Sequence, residues 1–335
     1  MSVFLAFVLG LVFTPLAAHV GRTLGLVDEP SGDGLEDGLK IHGDPTPVLG
    51  GLAVIVSTFV VVLGWLGSVP TSAIAAVMIS FTVGLVDDVR GLSPGSRVVA
   101  LAVAGTVLTG GGFDIGSLGS LGAAGTVLLV LACANAVNLV DGQDGLAGGL
   151  TAVAAAGLAA LAESSPGLGP VLGWSLAGAL AGFVVWNLSS YRVFLGNSGA
   201  YAVGTALAAV AAANTRRGEW GLVAAGGICL GVLAFEMVFT VVRRVRAGGL
   251  LTGDRAHTYD LLAARGLGRR RVTVCFWGIG TAFSAVAVLL IKLQPGGAPA
   301  VLIGLLAVAA VAGIRVGSSM RRTVKQGPRG RRGTP

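Results

Sequence analysis

The chain has 335 residues, of which 54% are hydrophobic and only 12% are charged. This composition carries more apolar surface than one soluble core can bury, so it excludes an ordinary soluble domain and predicts a polytopic membrane protein. In a soluble protein the net charge of +7 would point to nucleic acid. Here the basic residues lie in short loops between apolar segments, a pattern that sets membrane topology, and we expect no nucleic-acid partner.

Eleven apolar segments of roughly 15 to 23 residues follow one another, each about as long as a helix that crosses a bilayer. They fall near 2–20, 48–66, 70–86, 98–113, 121–139, 144–162, 168–188, 199–213, 220–242, 272–291 and 298–317. We therefore predict an all-α, polytopic integral membrane protein with 10 or 11 transmembrane helices. Residues 1–320 are predicted as a single transmembrane domain, and residues 321–335 as a basic, disordered tail attracted to membrane lipid.

The distribution of Lys and Arg predicts the orientation. If the basic tail faces the cytoplasm, eleven spans place all but three of the 23 Lys and Arg residues on that side, as the positive-inside rule requires. The loops rich in carboxylates and histidine fall on the same side. We predict a multi-pass protein of a bacterial-type plasma membrane, with its C-terminus and its active site on the cytoplasmic face.

Two adjacent carboxylates, Asp87 and Asp88, end the third span in the motif LVDDVRGLSPGSR. Neighbouring carboxylates repel each other, so we expect Mg²⁺ or a basic partner to neutralise them. A plain solvated helix end, with Asp88 paired to Arg90, remains open from these residues alone.

A second acidic motif, NAVNLVDGQDG at residues 135–145, places Asn135, Asn138, Asp141 and Asp144 at every third position. On a continuing helix this spacing keeps neighbours on one lateral face. Two further stretches are FLGNSGAY at 194–201, a glycine-bearing turn suited to presenting backbone N–H groups to phosphate, and GDRAHTYDLL at 253–262. Each of these stretches is compatible with an ordinary loop when taken singly.

Together with KIHGDPTPVLGG at residues 40–51, and in this order, these motifs resemble the polyprenyl-phosphate N-acetylhexosamine-1-phosphate transferases, of glycosyltransferase family 4 type. That family includes phospho-N-acetylmuramoyl-pentapeptide translocases and polyprenyl-phosphate GlcNAc-1-phosphate transferases, and the resemblance covers about residues 20–265. It implies transfer of a sugar 1-phosphate, preferably GlcNAc 1-phosphate, from a UDP-N-acetylhexosamine to polyprenyl phosphate, with release of UMP. It also implies Mg²⁺ as cofactor, with Mn²⁺ as an alternative.

Several alternatives stay open at this point. The chain is alternatively a phospho-MurNAc-pentapeptide translocase, or a catalytically silent homologue that binds nucleotide or lipid phosphate. A transporter is the third alternative, although we find no internal repeat of the kind that many transporters have. A homodimer is also left open.

The resemblance assigns roles residue by residue. It implies catalytic roles for Asp87, Asp88 and His257. It implies substrate binding by Lys40, His42, Asn135, Asn138, Asp141, Gly196, Ser198, Asp254 and Arg255. It implies metal binding by Asp88, Asp141, Asp144 and Asn197.

Two departures from the family pattern affect these assignments. Asn197 stands where the family has a metal-binding Asp, and an amide oxygen is a weaker Mg²⁺ ligand than a carboxylate. The stretch HTYD, residues 257–260, replaces a cluster of histidines. Either departure is compatible with altered metal affinity, a different sugar or lost activity. We predict an active transferase despite them, because Asp87, Asp88, Asp141 and Asp144 are all retained together with the basic loops. A further acid, Glu236, is expected to pair with an Arg such as Arg243 or with a helix amide, a role in the site being the alternative.

Overall fold

The structure is a computed structural model that describes residues 1–29, 45–162, 167–215, 219–248 and 256–325. Within those residues the chain forms thirteen α-helices and two very short strands. The helices are α1 (Ser2–Thr23), α2 (Gly50–Leu66), α3 (Thr71–Arg90), α4 (Pro94–Thr109), α5 (Gly122–Val140), α6 (Leu146–Leu161), α7 (Leu168–Asn187), α8 (Gly196–Thr215), α9 (Trp220–Cys229), α10 (Gly231–Ala247), α11 (Thr258–Leu262), α12 (Arg269–Leu293) and α13 (Ala298–Lys325). The strands β1 (Val27–Asp28) and β2 (Thr46–Pro47) pair antiparallel.

The structure confirms the predicted all-α, polytopic class, because each of the eleven apolar segments is helical. By length and composition six stretches are able to cross a membrane, in α1, α3, α5, α7, α12 and α13. Helices α2, α4 and α6 are shorter apolar helices. The protein is therefore a multi-pass membrane protein.

The segment predicted as one span at 220–242 differs from that expectation. It forms two helices, α9 and α10, whose axes are bent by 76°. The bend lies at Leu230, whose ψ of 3° is outside the α-helical range. Gly226, Gly227 and Gly231 flank it, and glycine weakens the preference of this stretch for a continuous helix.

Helix α8 lies at the centre of the helix assembly. Every residue from Ser198 to Ala212 is buried, and α2, α3, α5, α6 and α7 all contact this helix. Small residues allow the close approach: a Cβ on Gly51 of α2 would lie only 2.0 Å from Cα of Gly199. The packing places the first turn of α8 beside the ends of α3 and α5.

Backbone hydrogen bonds bring two of the sequence motifs together. Phe194 N–H donates to the Pro47 carbonyl (2.8 Å), and Gly50 N–H donates to the Phe194 carbonyl (3.0 Å). The end of KIHGDPTPVLGG therefore lies against the start of FLGNSGAY. Lys40 and His42, the two predicted substrate-binding residues of KIHGDPTPVLGG, lie outside the described residues.

At the C-terminus, α13 continues to Lys325 and so passes residue 321, where the basic tail was predicted to begin. A helix tolerates this extension because basic residues at a helix C-terminus interact favourably with the helix dipole. The rest of the tail lies outside the described residues, and the single transmembrane domain over 1–320 stays a prediction.

The close contact between α5 and α8 predicts a strong response to one methyl group. A Cβ added at Gly204 would lie 2.5 Å from Cα of Ala134, and overpacking of this kind costs about 1–3 kcal/mol. We expect Gly204→Ala to lower the thermal unfolding temperature in detergent, measured by the fraction that remains monodisperse after heating. The matched variant Gly64→Ala, in α2 with open space around the new methyl, should unfold no earlier than the wild-type protein. Equal unfolding temperatures for the two variants would contradict the packing described here.

Candidate active site

Helix α3 ends in a carboxylate that caps another helix. Asp88 Oδ1 accepts a hydrogen bond from the backbone N–H of Asn197 (2.9 Å), and its Oδ2 accepts from the N–H of Ser198 (3.0 Å). These are free donors in the first turn of α8. Gly196 precedes them with a φ of +70°, and a Cβ there would lie 2.6 Å from the Val48 carbonyl oxygen. Only glycine fits this turn without strain.

The neighbouring Asp87 is buried and has a different set of partners. Its Oδ1 accepts from the backbone N–H of Leu92 (2.7 Å), while its Oδ2 is 3.3 Å from Arg97 Nη1 and 3.4 Å from the Tyr201 hydroxyl. The expected basic partner of the pair is thus Arg97, bound to Asp87. The alternative pairing of Asp88 with Arg90 does not occur, since Asp88 binds the amides of α8.

Helix α5 brings its asparagines to the same place by different contacts. Asn138 Nδ2 donates to Asn197 Oδ1 at 2.6 Å, which joins α5 to the start of α8. Asn135 Nδ2 instead donates to the Leu131 carbonyl within its own helix (2.8 Å). The prediction that four polar residues share one continuing helix face is wrong for the last two, because α5 ends at Val140.

A glycine precedes the first residue of the next helix, α6. Gly145 has a φ of +74°, a conformation that L side chains rarely adopt. Its N–H donates to Asn187 Oδ1 (2.5 Å), and its carbonyl accepts from Trp277 Nε1 (3.1 Å). Asn187 Nδ2 in turn donates to the Val193 carbonyl (2.8 Å). The turn that carries the second acidic motif is therefore fixed to α7 and α12.

The acid at position 144 is held on the outer side of this turn. Asp144 Oδ2 is 3.6 Å from Arg192 Nη2, and its carbonyl accepts from the Thr273 hydroxyl (3.2 Å). Gln143 Nε2 donates to the same hydroxyl (2.6 Å). The carboxylate of Asp144 is thus compensated by a cation of the α7–α8 connection.

Asp141 is the carboxylate of the site whose charge has no positive partner among the described residues. Burial raises the pKa of Asp141 well above its usual range, and the charges of Asp88 and Asp144 raise it further. A divalent cation would relieve both the desolvation and the repulsion. Among the described residues of the site, Asp141 is therefore the acid whose charge is least compensated.

Whether the side chains fit Mg²⁺ depends on how many ligands the protein itself must supply. In the described ranges, no three His, Cys, Asp or Glu side chains lie close enough together to hold a metal ion alone. Mg²⁺ commonly needs only one or two carboxylates when substrate phosphates and waters complete its shell. Asp88 and Asp141 meet that requirement. The Oδ1 atom of Asn197, the third predicted ligand, accepts a hydrogen bond from Asn138.

The predicted catalytic histidine packs behind this acidic turn. His257 is buried, and its ring stacks on Tyr259 with the ring centres 5.3 Å apart. The Tyr259 hydroxyl donates to the Leu139 carbonyl (3.0 Å), and a Cβ on Gly142 would lie 2.5 Å from that hydroxyl. The Tyr259 ring therefore lies against the end of α5, and the His257 ring packs on Tyr259. Asp254 and Arg255, also predicted to bind substrate, lie outside the described residues.

The structure thus assembles most of the predicted residues from distant parts of the chain. Asp88, Asn138, Gly196 and Asn197 are linked by direct contacts or hydrogen bonds. Ser198 is fully buried with its N–H on Asp88, so it supports that carboxylate from behind. Seven further residues contact the site and were not predicted from the sequence: Arg97, Asn187, Arg192, Tyr201, Tyr259, Thr273 and Trp277. Asn187 offered a signal, as a polar residue within an apolar run, and Tyr201 and Tyr259 lie inside quoted motifs.

The chain is similar to several known proteins. A family model described as glycosyl transferase family 4 matches residues 70–214. A phospho-N-acetylmuramoyl-pentapeptide-transferase of Synechococcus sp. is 32% identical over 123 residues, 36% of this chain and 34% of that protein. A probable undecaprenyl-phosphate N-acetylglucosaminyl 1-phosphate transferase of Bacillus subtilis is 27% identical over 297 residues, 84% of this chain and 81% of that protein.

An undecaprenyl-phosphate alpha-N-acetylglucosaminyl 1-phosphate transferase of Thermotoga maritima is 35% identical over 92 residues, 27% of this chain and 30% of that protein. The chain thus matches only about a third of the length of the Synechococcus and Thermotoga relatives. The family match, residues 70–214, runs from the start of α3 to the end of α8. That range includes Asp88, Asn138, Asp141 and Asn197, the residues that meet at the polar end of these helices. Over this range the chain is similar to glycosyl transferase family 4.

Proposed function

We propose that this protein transfers an N-acetylhexosamine 1-phosphate from a UDP-sugar to polyprenyl phosphate. An oxygen of the polyprenyl phosphate attacks the β-phosphorus of the UDP-sugar, and the bond between that phosphorus and the bridging diphosphate oxygen breaks. UMP leaves, and a polyprenyl diphosphate sugar remains in the membrane. The names of the Bacillus and Thermotoga relatives support this reaction.

The observation that carries the proposal is the charge balance where α3, α5 and α8 meet. Asp87 is paired with Arg97 and Asp144 with Arg192. Asp88 binds neutral backbone amides, and Asp141 has no cationic partner in the described part of the chain. Two carboxylates remain uncompensated, and their combined charge matches a single divalent cation. Both substrates are anionic, so such a reaction needs added positive charge.

Asp88 and Asp141 are the residues proposed to hold Mg²⁺, or Mn²⁺ in its place. When bound, the ion would supply the positive charge that screens the diphosphate and stabilises the departing phosphate oxygen. The protein fixes Asp88 through two backbone hydrogen bonds, so this carboxylate is preorganised before substrate arrives. Preorganised charge costs no rearrangement during the reaction.

The neutral polar groups are proposed to orient the diphosphate. Asn138 and Asn197 hold each other by one hydrogen bond of 2.6 Å, which leaves Asn197 Nδ2 as a donor for a phosphate oxygen. Arg192 is exposed beside Asp144, where it adds a cation at the mouth of the site. Asp87 keeps Arg97 and Tyr201 in place, and we assign it a positioning role beside the catalytic Asp88.

The active face is proposed to be cytoplasmic. The basic residues favour this side under the positive-inside rule. The loops after α3, α5 and α7 contact one another, which supports their placement on the same face of the membrane. UDP-sugars would then reach the site directly from the cytoplasm.

GlcNAc 1-phosphate is the preferred group. The Bacillus relative, whose name specifies N-acetylglucosaminyl 1-phosphate, aligns with 84% of this chain. The pentapeptide transferase of Synechococcus is more similar locally, with 32% identity, but over only 36% of the chain. That higher local identity keeps phospho-MurNAc-pentapeptide as the second candidate.

The reaction predicts UMP release that requires three components together. Purified protein in lipid nanodiscs should release UMP from UDP-GlcNAc only when polyprenyl phosphate and Mg²⁺ are both present, as measured by chromatography of the nucleotide products. Release from UDP-MurNAc-pentapeptide alone would identify the second candidate. No release from a panel of UDP-N-acetylhexosamines, despite measurable UDP binding, would identify a silent homologue and end the proposal.

Neutralising either of the two uncompensated carboxylates is predicted to lower the rate of the reaction. Asp88→Asn and Asp141→Asn should each lower kcat by about 100-fold or more, the loss typical of removing a key electrostatic group. Glu219→Gln, an exposed acid outside the site, should keep wild-type kcat. All three variants should elute as folded protein. Retained activity in Asp141→Asn would refute its proposed part in cation binding.

Replacement of Asn197 by Asp is predicted to raise the affinity of the site for Mg²⁺. Asn197→Asp keeps an oxygen for Asn138 and adds a charged ligand, and ligand charge tunes the affinity of such sites. We expect the Mg²⁺ concentration for half-maximal nucleotide binding, followed by calorimetry with UDP, to fall by about tenfold. Asn197→Ser, which adds no charge, is the control. An unchanged or higher Mg²⁺ requirement in Asn197→Asp would contradict the assignment.

A further inference from the structure

Glu236, an acid that the proposed reaction does not use, is fully buried next to His257, the predicted catalytic histidine. Glu236 projects from α10 and has no exposed side-chain surface. It accepts hydrogen bonds from the hydroxyl and from the backbone N–H of Thr258, the latter at 3.4 Å. Glu236 therefore holds the start of α11 against α10.

The same carboxylate faces the imidazole of His257. Glu236 Oε2 is 3.8 Å from His257 Nδ1, and the Thr240 hydroxyl is 3.2 Å from that nitrogen. Both neighbours are oxygen atoms that can accept a hydrogen bond from a protonated Nδ1. With Nδ1 engaged in this way, Nε2 is the nitrogen left for a ligand.

A structural tether alone does not require a negative charge at position 236. A glutamine would accept the same bonds from Thr258, and burying a carboxylate costs free energy unless charge or strong hydrogen bonds compensate it. What the charge adds is its interaction with His257. The carboxylate favours an imidazole that keeps its proton on Nδ1.

The histidine is also linked to the acidic turn. Its ring stacks on Tyr259, whose hydroxyl bonds to the Leu139 carbonyl and contacts Gly142. His257 is therefore connected through Tyr259 to the end of α5, next to Asp141. The geometry couples the buried acid of α10 to the site through two aromatic rings.

We propose that Glu236 is a positioning residue that orients His257 through Nδ1 and presents Nε2 to a phosphate oxygen of the substrates. This inference rests on the proposed transferase function. With substrate bound, the ring donates from Nδ1 to Glu236 or Thr240 and from Nε2 to the phosphate. Glu236 touches no reacting atom and acts through the histidine.

A double-mutant cycle on UMP release tests this role in the full-length protein. Glu236→Gln should lower kcat by about tenfold, the lower end of the loss seen when the partner of a metal-bound histidine is removed, with little change in KM for the UDP-sugar. In a His257→Ala background the same change should alter kcat by less than about twofold, since the two residues act as one unit. An undiminished loss in that background would overturn the proposal.

Thr258→Val is the matched control for the tether. It removes the hydroxyl bond to Glu236 but leaves the contact between Glu236 and His257. If positioning of the histidine is the role, this variant should lose much less kcat than Glu236→Gln. Equal losses would mean that the tether, and not the histidine, explains the effect.

Chemical labelling of the histidines tests the proposed role of Glu236 independently of enzyme activity. Diethyl pyrocarbonate labels accessible imidazoles, and mass spectrometry of the peptides reports each histidine separately. Glu236→Gln should speed the labelling of buried His257 several-fold, while exposed His19 reacts at the wild-type rate as an internal reference. Unchanged labelling of His257 would refute the positioning role. Absence of UMP release from the wild-type protein would instead refute the proposed function.

Discussion

The two hydrogen bonds from the start of α8 to the Asp88 carboxylate are the interaction on which the site depends. Helix α8 is buried almost throughout, so its first N–H groups need partners other than bulk water. Asp88 supplies both oxygens and complements the positive end of the helix dipole. Gly84, one turn earlier, allows this approach, because a Cβ there would lie 2.3 Å from the Asn197 carbonyl oxygen. This fixed register also places Asn197 against Asn138.

Charge pairing then determines which acids are available for chemistry. Arg97 and Arg192 compensate Asp87 and Asp144, so these two carboxylates serve the geometry of their loops. Burial, and in second place repulsion from Asp88 and Asp144, raise the pKa of Asp141. The neutral Asn197 keeps the local charge one unit less negative than an Asp would. In the proposed reaction, one divalent cation at Asp88 and Asp141 would offset this negative charge when the two anionic substrates bind.

The sequence predicted the helices well and the contacts poorly, for physical reasons. Span lengths follow directly from hydrophobic thickness, so all eleven apolar segments are helical. The bend at Leu230 escaped prediction because no proline marks it and hydropathy carries no information on axis direction. Asn187 and Trp277 bond to Gly145 from more than 40 residues away. Such long-range hydrogen bonds depend on tertiary packing. The order of the motifs therefore predicted where the site lies, but not the residues that hold its turns in place.

The most direct measurement is an anomalous difference map from crystals grown with UDP and Mn²⁺. The proposed site predicts one manganese peak within coordination distance of both Asp88 and Asp141, with diphosphate oxygens completing the shell. Asn138 and Asn197 should contact the same diphosphate. A peak bound instead by Asp144 or Asp87, or UDP density away from the meeting point of α3, α5 and α8, would contradict the central claim.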